Sequence, residues 1–145
     1  MKANELRIWN LVKSNNPIYR HEWLGKTLSI LEIKDESVSV IAIDELPCAF
    51  VGGQFLKYIE PIKLTEEWLV KLGAIDRNKE ERDRFNFKEI NWYFGFTEPY
   101  GDFRIYQHPD SFKYWLDQYH TIEIKYVHQL QNIYFALTGE ELTIK

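Results

Sequence analysis

Cysteine is almost missing from this chain. Cys48 stands alone among 145 residues, which excludes an internal disulfide and any zinc site built on several thiolates. It reads as a small apolar side chain buried near a turn. Glycine and proline are sparse as well, seven and five residues, and scattered, so no linker, repeat or low-complexity tract divides the sequence. Long apolar runs are absent: each uninterrupted stretch is a few residues, against the roughly 20 needed to span a bilayer. The opening MKANELR lacks the apolar centre of a signal peptide. Together these absences predict a cytoplasmic protein with no membrane association. Positive charge is not in excess either. Lys and Arg number 18 against 22 Asp and Glu, a net charge of −4, which excludes nucleic-acid binding by bulk electrostatics and leaves room only for a local basic patch.

What is present is globular. Hydrophobic residues make up 45% and charged residues 28% of the chain, and the length suits a single domain over residues 1–145. The aromatic share, 16%, is high. Each such side chain can bury about 150–250 Å², so most are expected in the core, and any exposed remainder points to a protein partner.

The pattern predicts an α+β fold. An N-terminal β-meander over residues 5–60 should form a small, strongly curved antiparallel sheet or partial barrel. Its first strand is read from alternation over residues 6–12, followed by a turn at Ser14, Asn15, Asn16 and Pro17. A hairpin follows, residues 28–33 and 38–43 joined by a turn at 34–36. Residues 47–53 break the sheet, and 54–59 add one short strand. A short central helix over 65–73 starts at Thr65, where the hydroxyl can accept from a free N–H and Glu66 and Glu67 favour the positive end of the dipole. Trp68, Leu69 and Leu72 form its apolar face, and Gly73 supplies a left-handed stop. An aromatic hairpin is read over 85–107, with its turn at 98–102. Residues 111–119 fit a strand and a helix equally well. An amphipathic C-terminal helix over 124–138 carries Val127, Leu130, Ile133, Tyr134 and Leu137 on one face, with Thr138 and Gly139 ending it.

Three segments carry a resemblance. The stretch IKYVHQLQNIYFALTGEEL, residues 124–142, resembles the ending of a family of small phage and prophage proteins of unknown function. ELRIWNLV, residues 5–12, looks like that family's opening strand, and IEPIKLTEEWLVKLG, residues 59–73, like its central segment, in the same order. The sequence departs from the family at Trp9, where glycine is expected; so large a replacement either fills a groove or exposes a new aromatic surface. Residues 77–119 have no counterpart. The resemblance implies a mobile-element origin and lends no catalytic residues. Phage accessory proteins of this size are often inhibitors of host defence, anti-CRISPR proteins among them. The implied partner is therefore a host protein or ribonucleoprotein, with CRISPR effector nucleases in that class.

No catalytic, metal or cofactor pattern emerges. His21, His108, His120 and His128 show no ligand spacing, and the pairs Glu66-Glu67 and Glu140-Glu141 read as dipole and solubility residues. Gly52-Gly53 is too short for a phosphate loop. The amide and imidazole groups of His128, Gln129, Gln131 and Asn132 form a polar strip that either bonds neighbouring loops or faces a partner. The mixed-charge run 76–84 reads first as a solvated connection and, more sharply, as a contact surface. In that sharper reading Arg77, Lys79, Arg82 and Arg84 meet an acidic protein surface or an RNA backbone. Trp92, Tyr93, Tyr100 and Tyr106 would then supply stacking, with Trp9 and Trp115 as further contacts. The expectation is a non-enzymatic interaction protein. A small RNA- or single-strand-binding module, a virion assembly protein and an enzyme with an unrecognised site are the alternatives.

Overall fold

A computed structural model describes residues 2–16, 24–43, 51–76, 92–96, 103–107, 113–117, 119 and 121–145. The described residues form an α+β structure of two five-stranded antiparallel sheets and two helices. The first sheet contains β1 (Leu11–Ser14), β2 (Thr27–Ile33), β3 (Ser37–Ala42), β4 (Val51–Phe55) and β5 (Ile59–Pro61), in the order β4-β3-β2-β1-β5. Its outer strands do not pair with each other, so the sheet is not closed into a barrel. The second contains β6 (Ile75–Asp76), β7 (Trp92–Phe96), β8 (Phe103–Gln107), β9 (Tyr114–Trp115) and β10 (Glu123–Ile124), in the order β10-β9-β8-β7-β6. Helix α1 spans Glu66–Lys71 and helix α2 spans Val127–Thr138.

Several elements form for the reasons the sequence contains. The β2–β3 hairpin pairs as its alternation predicts, with a register shift between Ile30 and Glu32. Thr65 caps α1 by accepting from the Trp68 N–H at 3.3 Å, and Gly73 follows at φ 87°. Helix α2 ends at Gly139, φ 78°, whose N–H donates to the Phe135 carbonyl at 2.8 Å. β7 and β8 form the aromatic hairpin over their described residues.

Other expectations need correction. Residues 6–12 are not one strand: a 3-10 turn at Ala3–Glu5 and a turn at residues 7–10 precede β1, because Trp9 takes φ 70° and Asn10 folds its side chain back to Arg7. Residues 51–61 hold two strands separated by a 3-10 turn at Leu56–Tyr58, and Gly52-Gly53 lies inside β4 rather than in a break. That edge position tolerates glycine because β3 supplies the ladder on one side. The C-terminal helix begins at Val127, not 124. Glu123 and Ile124 pair with Trp115 and Tyr114, burying Ile124, and the Gln129 side chain accepts from the N–H groups of Lys125 and Tyr126 at 3.0 and 3.2 Å. Leu137, placed on the apolar face, is exposed. Within 111–119, the described Tyr114 and Trp115 form a strand.

Two apolar clusters form. The larger gathers Leu11 of β1, Leu69 and Leu72 of α1 and its end, Phe94 and Ile105 of the second sheet, and Leu130 of α2. Phe96, Phe103 and Tyr134 pack beside them with ring centroids 5.3–5.8 Å apart. The smaller cluster lies on the first sheet and contains Val12, Leu28, Ile30, Val38, Val40 and Ile59. Each fully buried aliphatic side chain stabilises the fold by about 1.5–3 kcal/mol relative to exposure.

Candidate functional site

The turn at residues 7–10 builds the site. The Asn10 N–H donates to the Arg7 carbonyl at 3.1 Å, and the Arg7 N–H donates to Asn10 Oδ1 at 2.8 Å. Trp9 is the third residue of this turn, a position whose positive φ glycine or asparagine usually supplies. Among the described residues it is the one non-glycine with positive φ. Its N–H donates to the Ile30 carbonyl at 2.6 Å, and the Ile30 N–H returns to the Asn10 carbonyl at 3.0 Å, so β2 holds the turn in place.

Helix α2 clamps the same segment from the other side. Gln131, buried, accepts from the Leu11 N–H at 2.8 Å and donates through Nε2 to the carbonyls of Trp9 at 3.3 Å and Leu142 at 2.9 Å. Asn132 accepts from Asn10 Nδ2 at 2.9 Å and donates to the Glu5 carbonyl at 3.0 Å. Arg7 pairs with Glu141 at 3.0 Å and lies 3.5 Å from the centroid of the Phe135 ring. Of the two readings of the polar strip on α2, the bonding of neighbouring segments is therefore the one these side chains make. His128 is buried and stacks on Tyr126 at 5.7 Å; burial pushes its pKa below the ordinary 6.5. The central segment joins the same scaffold. The Leu64 N–H donates to the Lys125 carbonyl, and the Val127 N–H to the Ile62 carbonyl, both at 2.9 Å.

Beside the clamp lies a groove of about 730 Å³. Its floor is a row across three strands, Leu11, Ser29 and Ile41, whose Cα atoms are register partners, continued by Thr27 and Ile43. Trp9, 48% exposed, forms one wall. Trp68 and Lys71 of α1 and the segment 143–145 line it as well, the Lys145 N–H donating to the Lys71 carbonyl at 3.0 Å. Trp9 thus fills part of a groove and exposes part of its ring, joining both outcomes expected of an indole at this position.

The other residues singled out from the sequence are placed elsewhere. Arg77, Lys79, Arg82, Arg84 and Tyr100 lie outside the described residues, as do Cys48, His21, His108 and His120. Trp92 and Tyr93 belong to β7, their backbones opposite Gln107 and Tyr106. Tyr106 in turn opposes Trp115, both partly buried, so the second sheet brings these two together. Tyr106 also borders a shallow concavity with Arg104, Leu116, Tyr119 and Leu137. Trp68, Ile41, Ile43, Lys71 and Ile144 were not singled out from the sequence as contact residues. The uninterrupted apolar run at residues 40–43 was the available signal for Ile41 and Ile43, since a strand apolar at successive positions presents apolar groups on both faces.

Among the described residues no group of three or more His, Cys, Asp or Glu side chains is placed to hold a metal ion, and no helix is long and apolar enough to cross a membrane. The chain matches no family model, no curated protein and no solved structure.

Proposed function

We propose that this chain is a cytoplasmic, non-catalytic phage or prophage accessory protein. It binds a host protein or ribonucleoprotein and inhibits it by covering its surface, with CRISPR-type defence nucleases as the target class. The phage and anti-defence parts of this reading draw on the resemblance of residues 5–12, 59–73 and 124–142. The interaction part draws on Trp9.

A tryptophan at φ 70° costs about 1–2 kcal/mol relative to a right-handed or extended conformation. Strain of that kind persists where the surrounding bonds over-determine it, and it concentrates at functional positions. Here the strain accompanies a half-exposed indole on the wall of an apolar groove. Exposed aromatic anchors beside apolar pockets are the residues that dominate protein interfaces.

The test combines capture and inhibition. Tagged chain is used to isolate partners from nuclease-treated host lysate, each captured protein is purified, and its activity is titrated with wild-type chain and with Trp9→Gly. Stoichiometric inhibition by the wild type, weakened at least tenfold in Trp9→Gly, is the expected result. Inhibition that is equal for both proteins removes Trp9 from the interface.

A second reading, a small RNA- or single-strand-binding module, is favoured by the Tyr106–Trp115 pair and the nearby Arg104. It predicts affinity for single-stranded RNA that falls steeply with salt.

A further inference from the structure

We infer that the groove beside Trp9 receives a short segment of a partner protein in which large apolar side chains are flanked by Asp or Glu carboxylates. This inference rests on the interaction reading above and assigns it a partner chemistry. The groove's surface is mainly apolar, with the two indoles of Trp9 and Trp68 over a floor containing Leu11, Ile41 and Ile43. The charged groups among its described lining residues are Lys71 and Lys145, and none is acidic. In a chain of net charge −4, an apolar surface whose described lining residues include two lysines and no acidic side chain is set against the average of the molecule.

The two lysines share one side of the groove. The Lys71 ammonium lies 5.0 Å from the Trp68 ring and pairs with Glu67 at 2.8 Å, which fixes it beside the indole. Lys145 is tied to Lys71 through its backbone, and its side chain crosses Gly73 so closely that a Cβ there would lie 2.6 Å from its Cδ. A bound segment therefore meets Lys145 and the Glu67-paired Lys71 along α1, and aromatic or aliphatic surface toward Trp9 and β3. Carboxylates fit the first side and apolar side chains the second. A volume of about 730 Å³ accommodates several large side chains.

A displayed library of random twelve-residue peptides, selected against the full chain and counter-selected on Trp9→Gly, tests this. Glycine suits the backbone at position 9, so that variant keeps its fold while losing the ring. The expected outcome is enrichment of sequences pairing Trp, Phe, Leu or Ile with Asp or Glu. Their affinity should drop at least tenfold in Trp9→Gly and severalfold in the Lys71→Gln, Lys145→Gln double variant, with the latter loss reproduced by raising salt. Trp9-dependent peptides without acidic residues would overturn the carboxylate requirement and leave the interaction reading standing. Peptides indifferent to Trp9 would overturn both. Failure to enrich any sequence, with a shift of tryptophan emission on adding dodecanoate, would reassign the groove to a free amphiphilic acid. A dimer in sedimentation that Trp9→Gly dissolves would reassign it to a second copy of the chain.

Discussion

Gln131 and Trp9, 122 positions apart, are joined through the backbone: the Gln131 amide donates to the Trp9 carbonyl at 3.3 Å while its oxygen accepts from the Leu11 N–H at 2.8 Å. One buried side chain on α2 thus closes the turn that carries the groove's aromatic wall. Replacing it with leucine keeps the volume and leaves the Leu11 N–H and the carbonyls of Trp9 and Leu142 without that partner. We expect Gln131→Leu to lower stability by about 2–4 kcal/mol, from a penalty of roughly 1–3 kcal/mol for each buried group left unbonded. Urea denaturation of the two proteins measures it, and a loss under about 1 kcal/mol would mean the clamp is not what holds the turn.

Trp9→Gly and Trp9→Ala separate ring from backbone. Both lose the indole contacts, but only glycine accepts φ 70° without strain. The glycine variant should be the more stable of the two by about 1 kcal/mol. The reverse order in thermal denaturation would show that the turn relaxes once the ring is gone.

His128 should make stability fall in mild acid. Its folded-state pKa is depressed, because burial disfavours the imidazolium, so the unfolded chain takes up the proton first as pH drops. The contribution is fully present above the unfolded value near 6.5 and is lost as pH falls below it toward the lower folded value. Denaturation midpoints at pH 7.5 and 5.5 should therefore differ less in His128→Asn than in the wild type. An equal difference would assign the acid sensitivity to other groups.

Tyr114 acts at the other end of the scale. Burial first, and then the nearby Glu66 carboxylate, raises its pKa from 10.0 to about 12. The folded state keeps a proton that the unfolded chain releases, so this contribution is intact below pH 10 and is lost as pH rises toward 12. The difference in phenolate absorbance near 295 nm between wild type and Tyr114→Phe should titrate above pH 10 in the folded proteins and near pH 10 in the denatured ones. Tyr114→Phe should weaken the alkaline loss of stability.

Arg7 and Glu141 form a pair whose side chains remain 32% and 26% exposed. A double-mutant cycle with Arg7→Met and Glu141→Gln should give a coupling of about 0.5–1 kcal/mol that shrinks with salt. Arg7→Met alone should cost more than Glu141→Gln alone, since it also removes the guanidinium from the Phe135 ring.

The elements legible in the sequence are those whose signals are local. Alternation marked β2 and β3, Thr65 and Gly73 bracketed α1, and spacings of three and four marked α2. Strands of two residues, β6, β9 and β10, contain no period to read; β6 and β9 form because β7 and β8 offer ladders beside them, and β10 adds to β9 in turn. Alternation over residues 6–12 pointed to a strand, but the Asn10 side chain bonds the Arg7 N–H and turns the chain instead. The positive φ at Trp9, a conformation that glycine adopts without strain, has no local signal in the sequence and follows from the turn that Asn10 closes.

By itself, the order of residues determined the α+β class, the two helices with their end signals and the abundance of aromatic rings, because propensity, capping and periodicity act within a few positions. Tertiary structure alone decided which rings stay in solvent, that Gln131 and Asn132 bond residues 5–11, and that Trp9, Trp68 and Ile41 share one groove. Those outcomes depend on contacts between segments far apart in the chain, more than a hundred positions for Gln131 and Asn132, where a side chain's fate is set by what packs against it and not by its neighbours in sequence.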